Sequence, residues 1–285
     1  PGRGAGRPSA CPRRRRRAKP APARTTGELT PMLLAIDIGN TNTVVGVFDR
    51  DKLRDYFRVA SSHHLTSDEA GLFVTGLLDR MEIRPNEINR IVVSSVVPRL
   101  STVYERMCAR FFRVEPLWVS VDITLPVTID IDKPRQVGAD RIANAAAAFV
   151  KYGGPVIVID FGTAINFDVV TEQGAYIGGV LVPGPETSMA ELARKAARLF
   201  EVRLAEPERA VGRTTAQALQ SGLFYGTLGQ IDFILDRIIA ETEFTNPSVV
   251  ATGGLANGIE KHSRHISKVD PTLTLDGLRY IAAAN

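Results

Sequence analysis

One pattern occurs twice in this chain. Residues 35–49, "AIDIGNTNTVVGVFD", and residues 156–170, "VIVIDFGTAINFDVV", each run from an apolar segment into an Asp, then a Gly-containing polar turn, then a second apolar segment. Aligning Asp37 with Asp160 puts Gly39 on Gly162, and an internal duplication is the economical explanation. The chain is therefore expected to fold into two similar halves, each opening on strand, tight turn and strand.

Apolar periodicity extends the pattern. Strands are expected at 33–37, 44–48 and 53–59, then a helix opened by Ser67 with Asp68 and Glu69 in its first turn. A strand at 90–95 and a helix from Arg99 follow, with Cys108 and Trp118 as core residues. The second half repeats the opening and adds a strand at 176–182. Between the halves, "VGADRIANAAAAFVKYGGP" has the alanine content of a helix, ended by Gly153, Gly154 and Pro155, and is the natural hinge. Residues 214–241 read as one long helix or a broken pair, interrupted by Gly222, Gly226 and Gly229. A strand at 248–251 then meets Gly253 and Gly254. The expected division is a basic tail (1–31), an N-terminal lobe (32–150) and a C-terminal lobe (151–285).

The 285 residues are 44% hydrophobic, enough for one large core or two moderate ones, which rules out a disordered protein. The net charge of +4 is misleading, because residues 1–31 hold nine Lys/Arg against Glu28 alone and leave the remainder at −4. Only that tail could bind a polyanion such as nucleic acid. Its Pro, Gly, Ala and Arg content reads as disordered, and no apolar stretch follows Arg13 to Arg17 to complete a signal peptide. The tail is expected to be a start-site or expression remnant, with Met32 at the natural start. No apolar run is long enough to span a bilayer. Cys11 and Cys108 are the only cysteines, one of them in the tail, so a framework disulfide is not expected and a reducing cytoplasm is.

The duplicated turn suits phosphate. Backbone N–H groups converge on an anion where side chains are short, and Thr41 and Thr43 can donate hydroxyls. Asp37 would repel a phosphate unless it holds Mg²⁺ through water, so the turn reads as a metal-nucleotide clamp. A plain hairpin turn uses the same residue types. The duplicate at Asp160 to Thr163, with Gly253 and Gly254 after a further strand, favours a split nucleotide site. No G-x-x-x-x-G-K-[ST] is present, and no G-x-G-x-x-G opens a helix. "DFG" at 160–162 lacks the HRD and VAIK segments of a protein kinase.

Taken together and in order, "DIGNTNT", "VGADR", "DFGTA", "GGVLVPG" and "VGRTT" resemble type III pantothenate kinase, of the acetate and sugar kinase/Hsp70/actin superfamily. The resemblance runs from about Met32 to near the C-terminus. It implies an α/β fold of duplicated actin-like (ribonuclease H-like) lobes, each a mixed sheet flanked by helices. It further implies ATP-dependent phosphorylation of pantothenate, the first step towards coenzyme A, with Mg²⁺ and a monovalent cation (K⁺ or NH₄⁺), in a homodimer. By motif, Asp37, Ile38, Gly39, Asn40, Thr41, Asn42, Thr43 and Val44 cradle ATP phosphates and metal, and Thr163 touches ATP. Gly138, Ala139, Asp140 and Arg141 face pantothenate, with Asp140 as proton acceptor; Thr215 touches substrate, and Asp160 binds the monovalent cation. The alternatives are another small-molecule kinase or a phosphate hydrolase of the superfamily, and a catalytically weak regulatory or transcription accessory protein.

At a helix N-terminus, the Asp140 carboxylate is expected to have a lowered pKa and to be a weak base. Simple helix capping is its other reading. Arg141 opposes the helix dipole, so an anion is expected beside it: a substrate carboxylate or phosphate, or an inter-lobe acid such as Asp132. The chain departs from the family pattern at Ile131, where Tyr is frequent, at Ile165 and Asn166, where two threonines are usual, and at Thr214, where Asn is common. His262 and His265 are spaced for one helix face, and a solvated face is expected rather than a metal site.

Overall fold

The structure is a computed structural model that describes Gly2 and residues 32–285. The basic tail therefore lies outside the described residues.

The first half runs β1 (Met32–Ile38), β2 (Asn42–Asp49), β3 (Lys52–Ala60), α1 (Ser67–Arg80), β4 (Ile88–Ser95), α2 (Pro98–Met107), β5 (Leu117–Trp118) and β6 (Thr128–Ile129). α3 (Ala139–Tyr152) leads into β7 (Val156–Phe161), β8 (Ala164–Val170), β9 (Ala175–Pro183), α4 (Pro185–Lys195) and α5 (Thr215–Thr242). The chain closes with β10 (Ser248–Gly253), α6 (Ala256–Ile259), β11 (Lys268–Val269) and α7 (Leu273–Ala284).

Among the described residues these strands form two mixed sheets, ordered β3-β2-β1-β4-β5 and β11-β10-β7-β8-β9-β6. In each sheet three sequential strands pair antiparallel and the next two join parallel to the first. Only β6, added beside β9, breaks the equivalence. The sequence duplication is thus a duplication of topology, and the fold is a pair of actin-like lobes.

Period-two alternation decides which face each strand residue meets. Leu34, Ile36 and Ile38 of β1 enter a core with α1 and α2, while Ile157, Ile159 and Phe161 of β7 enter one with α5. The alternate residues, Leu33 and Ala35 in β1 and Val156 and Val158 in β7, share a third core with α3 and α7 between the sheets. Continuing the alternation sets Asp37 and Asp160 on this inter-lobe face.

α3 is buried along 142–148, and its alanines leave room for neighbours on every side. The last helix, α7, returns to pack on α3 and on β1, β2 and β4 of the first sheet. A Cβ at Gly277 would collide with the backbone of Ala143, so the two helices touch through a glycine.

Some local expectations shift. α1 is capped by Thr66 in a capping box with Glu69, not by Ser67. The helix expected over 214–241 is one unbroken helix, α5 (Thr215–Thr242), because Phe224, Ile231, Leu235 and Ile238 anchor one face while the glycines point away. Cys108 is buried and its thiol is pushed up to about 12 by that burial, whereas Trp118 is only half-buried. His262 and His265 lie in the loop after α6, not on a helix face, because α6 stops at Ile259. There Asp232 of α5 accepts from Ser263 Oγ at 2.7 Å, and His265 Nε2 sits 2.7 Å from Asp236 Oδ1. His262 Nε2 is 3.3 Å from Glu206 and its ring meets Phe224 edge-on. Among the described residues no helix is long and apolar enough to cross a membrane.

Candidate active site

The turn between β1 and β2 is closed by Gly39 N–H donating to Asn42 O at 3.0 Å. Ser61, just past β3, braces it by donating to Gly39 O at 2.7 Å. Asn40, Thr41 and Asn42 are exposed, whereas Ile38 is buried in the α1–α2 core and Val44 packs into the inter-lobe core. Thr43 is 1% exposed, and its hydroxyl is spent on Ser61 Oγ at 2.9 Å. Thr41 Oγ1 instead reaches across the cleft to Thr163 Oγ1, 2.8 Å away in the equivalent turn of the second lobe. The two duplicated turns therefore meet through hydroxyls.

Behind them stand the duplicated carboxylates. Asp37 accepts from Ser94 Oγ of β4, and burial pushes its pKa up to about 7, with the charges of Asp140 and Asp160 adding to the rise. Asp160 accepts from Asn144 Nδ2 at 3.0 Å and is pushed up to about 6, mainly by burial and then by Asp140. Arg58 of β3 lies near enough to both to favour their anions, and its Nη1 is 3.8 Å from where a Cβ on Gly254 would sit. Gly253 takes φ +90° with its α-carbon packed on the Phe161 backbone, a position no side chain fits.

Asp140 enters this group from the first turn of α3. The N-cap of α3 is Gly138, without a side-chain bond, so Asp140 is not the cap. Its Oδ1 accepts from the Arg141 amide at 2.8 Å. The expected fall in its pKa is reversed: burial raises it, outweighing the Arg141 amide and guanidinium. Asp140 is thus a stronger base than the helix dipole alone suggests. The anion beside Arg141 is not Asp132 but Asp168 of β8, with Nε donating to Oδ1 at 2.7 Å. Asp168 also accepts from Tyr176 at 3.0 Å, and burial pushes it up to about 7 against the pull of Arg141.

Thr215 opens α5, exposed, with no hydrogen bond to this group among the described residues. Of the departures, Ile165 points into the α5 core and is 1% exposed, away from the carboxylates. Asn166 shares the inter-lobe face, with a buried Oδ1 that lacks a partner, and Ile131 lies against Gly178. Sequence reading missed Ser94, Ser61, Asn144, Arg58 and Asp168. The signal for Asn144 was present, as the lone polar residue within an alanine run on a buried helix.

No three His, Cys, Asp or Glu side chains among the described residues converge closely enough to ligate a metal directly. A Mg²⁺ carried on phosphates and met by one carboxylate through water fits this donor set. Two exposed hydroxyls, a tight polar turn and buried carboxylates of raised pKa are groups of the kind that bind phosphate and move protons.

Comparison with known proteins agrees. The family model for type III pantothenate kinase matches residues 33–237. The chain is 46% identical over 254 residues to the type III pantothenate kinase of Myxococcus xanthus, covering 89% of this chain and 99% of that protein. It is 42% identical to that of Listeria welshimeri, at 89% and 98% coverage. Among solved structures, a conserved putative Baf family transcriptional activator from Campylobacter jejuni superimposes with a TM-score of 0.54 at 19% identity, over 87% of this chain and 96% of that one. The ethanolamine utilization protein EutJ of Carboxydothermus hydrogenoformans gives 0.52 at 14% identity, over 90% of each chain. These two share the fold. On the sequence matches and the site they fall on, the chain belongs to the type III pantothenate kinase family.

Proposed function

We propose that Asp140 is the proton acceptor as this chain transfers the γ-phosphoryl group of ATP to the hydroxyl of pantothenate, giving 4′-phosphopantothenate. As a member of its family the chain is an enzyme of coenzyme A biosynthesis that uses ATP and pantothenate. The observation that carries the assignment of roles is the convergence of Asp140 with the two duplicated turns, whose carboxylates feel its charge.

In a loose phosphoryl-transfer transition state the attacking hydroxyl keeps its proton until late. Asp140 orients that hydroxyl and takes the proton as the P–O bond forms; its raised pKa makes the last step easier. The exposed tip of the first turn, residues 40–42, and the hydroxyls of Thr41 and Thr163 hold the phosphates, exchanging the Thr41–Thr163 bond for bonds to ATP. Thr43 supports the turn from behind. Gly138, Ala139 and Arg141 face pantothenate, and Thr215 contacts substrate. Asp37 would hold the Mg²⁺ general for kinases, through water, and the ion would supply charge neutralisation at the phosphates. Asp160 would hold the monovalent cation, K⁺ or NH₄⁺, whose charge would offset that of the buried carboxylate.

A homodimer is supported by the outer face of α5. Gly222, Gly226 and Gly229 lie on one stripe with exposed Phe233, and nothing lies within 4 Å of where their Cβ atoms would be. Each exposed helical glycine costs about 1 kcal/mol relative to alanine. Close approach of a second α5 offsets that cost.

ADP release from purified protein with Mg-ATP tests the reading. The release is expected to require pantothenate and to be faster in K⁺ or NH₄⁺ than in Na⁺. ATP consumption indifferent to pantothenate would overturn it.

A further inference from the structure

We propose that Asp168 is a positioning residue for the acceptor: it clamps Arg141 through Nε so that the free edge of the guanidinium receives the carboxylate of pantothenate. This deepens, and rests on, the kinase reading above.

Asp168 is wholly buried on the inter-lobe face of β8. A single oxygen, Oδ1, takes both Arg141 Nε and Tyr176 Oη, at 2.7 and 3.0 Å. Its Oδ2 is buried with no partner, and so is Arg141 Nη2. A buried ion pair left with spare donors and acceptors is poor for stability, since each unmet group costs desolvation without return. A pair selected for stability alone would be bidentate, with both carboxylate oxygens meeting the guanidinium fork. Here one N–H anchors the group and the others stay available.

Local backbone fixes where that edge points. Arg141 Nη2 lies 3.1 Å from the position of a Cβ on Gly179, so β9 bares its backbone beneath the guanidinium. Gly178, at φ +117°, keeps the adjoining position open, and Ile131 Cγ2 borders it at 3.8 Å. A fixed cation thus stands beside two bare glycines and the Ile131 side chain, a setting that suits a carboxylate carried on a short methylene chain, as in pantothenate. Arg141 and Asp140 are consecutive on α3, so one helix turn addresses both ends of the acceptor, the carboxylate and the reacting hydroxyl. Without Asp168, Arg141 keeps its charge but loses its bearing, and a flexible guanidinium pays ordering entropy on binding.

The test compares pantothenate with pantothenol, in which the carboxylate is replaced by a neutral alcohol. KM for pantothenate, the inhibition constant or KM for pantothenol, kcat, KM for ATP and the melting temperature are measured for wild type, Asp168→Asn and Tyr176→Phe. Asp168→Asn is expected to raise KM for pantothenate roughly ten- to a hundredfold, the range for one hydrogen bond to a charged group. Pantothenol affinity, KM for ATP and kcat are expected to change little, so the preference for the acid over the alcohol collapses. Tyr176→Phe, which removes one donor from Asp168 and leaves the ion pair, is expected to show the same pattern at smaller amplitude. It carries the comparison if Asp168→Asn fails to fold. Equal losses with both acceptors, or an unchanged preference, would overturn the proposal and leave Asp168 a structural brace. Wild-type protein that ignores pantothenate altogether would instead overturn the kinase reading.

Discussion

Asp37 and Asp160, at about 7 and about 6, sit well above their ordinary carboxylate value of 3.8, so the folded protein binds more protons than the unfolded chain between roughly pH 4 and 7. For acids shifted upward, this contribution favours folding at low pH and is lost as pH rises through the folded values. Without nucleotide or cation, Asp37→Asn is therefore expected to melt higher than wild type at pH 8, by a few degrees, on the order of 2–4 °C per kcal/mol for a chain of this size. The difference should vanish by about pH 4, where both forms are neutral; thermal melts at both pH values measure it. The two threonines of the turn separate function from support. Thr41→Val is expected to raise KM for ATP without moving the melting temperature. Thr43→Val, which strips a partner from half-buried Ser61, is expected to cost about 1 kcal/mol of stability and to affect ATP less.

At the scale of elements, two helices carry glycines for different reasons. Gly277 of α7 lies on the Ala143 backbone of α3, so Gly277→Ala must push the helices apart and is expected to destabilise by about 1–3 kcal/mol, read from denaturant midpoints. On α5, Gly226→Ala would stabilise a monomer by about 1 kcal/mol, since nothing is near its Cβ position. If two copies pair through α5 as proposed, Gly226→Leu is expected to leave monomer where wild type sediments as a dimer, which sedimentation velocity resolves. The elements themselves were legible where periodicity is strong: the strands around Asp37 and Asp160, α3 from its alanines, and α5 from its length. Periodicity does not show which way a glycine stripe faces. That depends on which neighbours claim the other side of the helix, and α5 is held by Phe224, Ile231 and Leu235.

Across the whole molecule, the duplication read in the sequence reappears as two sheets of the same strand order, and the site lies where the two copies of one turn meet. The motif residues were legible because the two turns that meet carry small and polar side chains at the same fixed spacing from an Asp. Their support was not: Ser94, Asn144 and Asp168 reach the site only through strand register and helix packing between distant segments. The pKa of Asp140 was misjudged for the same reason, because a helix dipole is local and visible in sequence whereas burial between two lobes is not. The central assignment is Asp140 as proton acceptor, and it is tested most directly by kcat/KM for pantothenate in Asp140→Asn, with ATP binding measured on the same sample. A fall of roughly 10²- to 10⁴-fold with ATP binding retained is expected, the usual range for losing a general base. Turnover close to wild type in a folded, ATP-binding variant would contradict it.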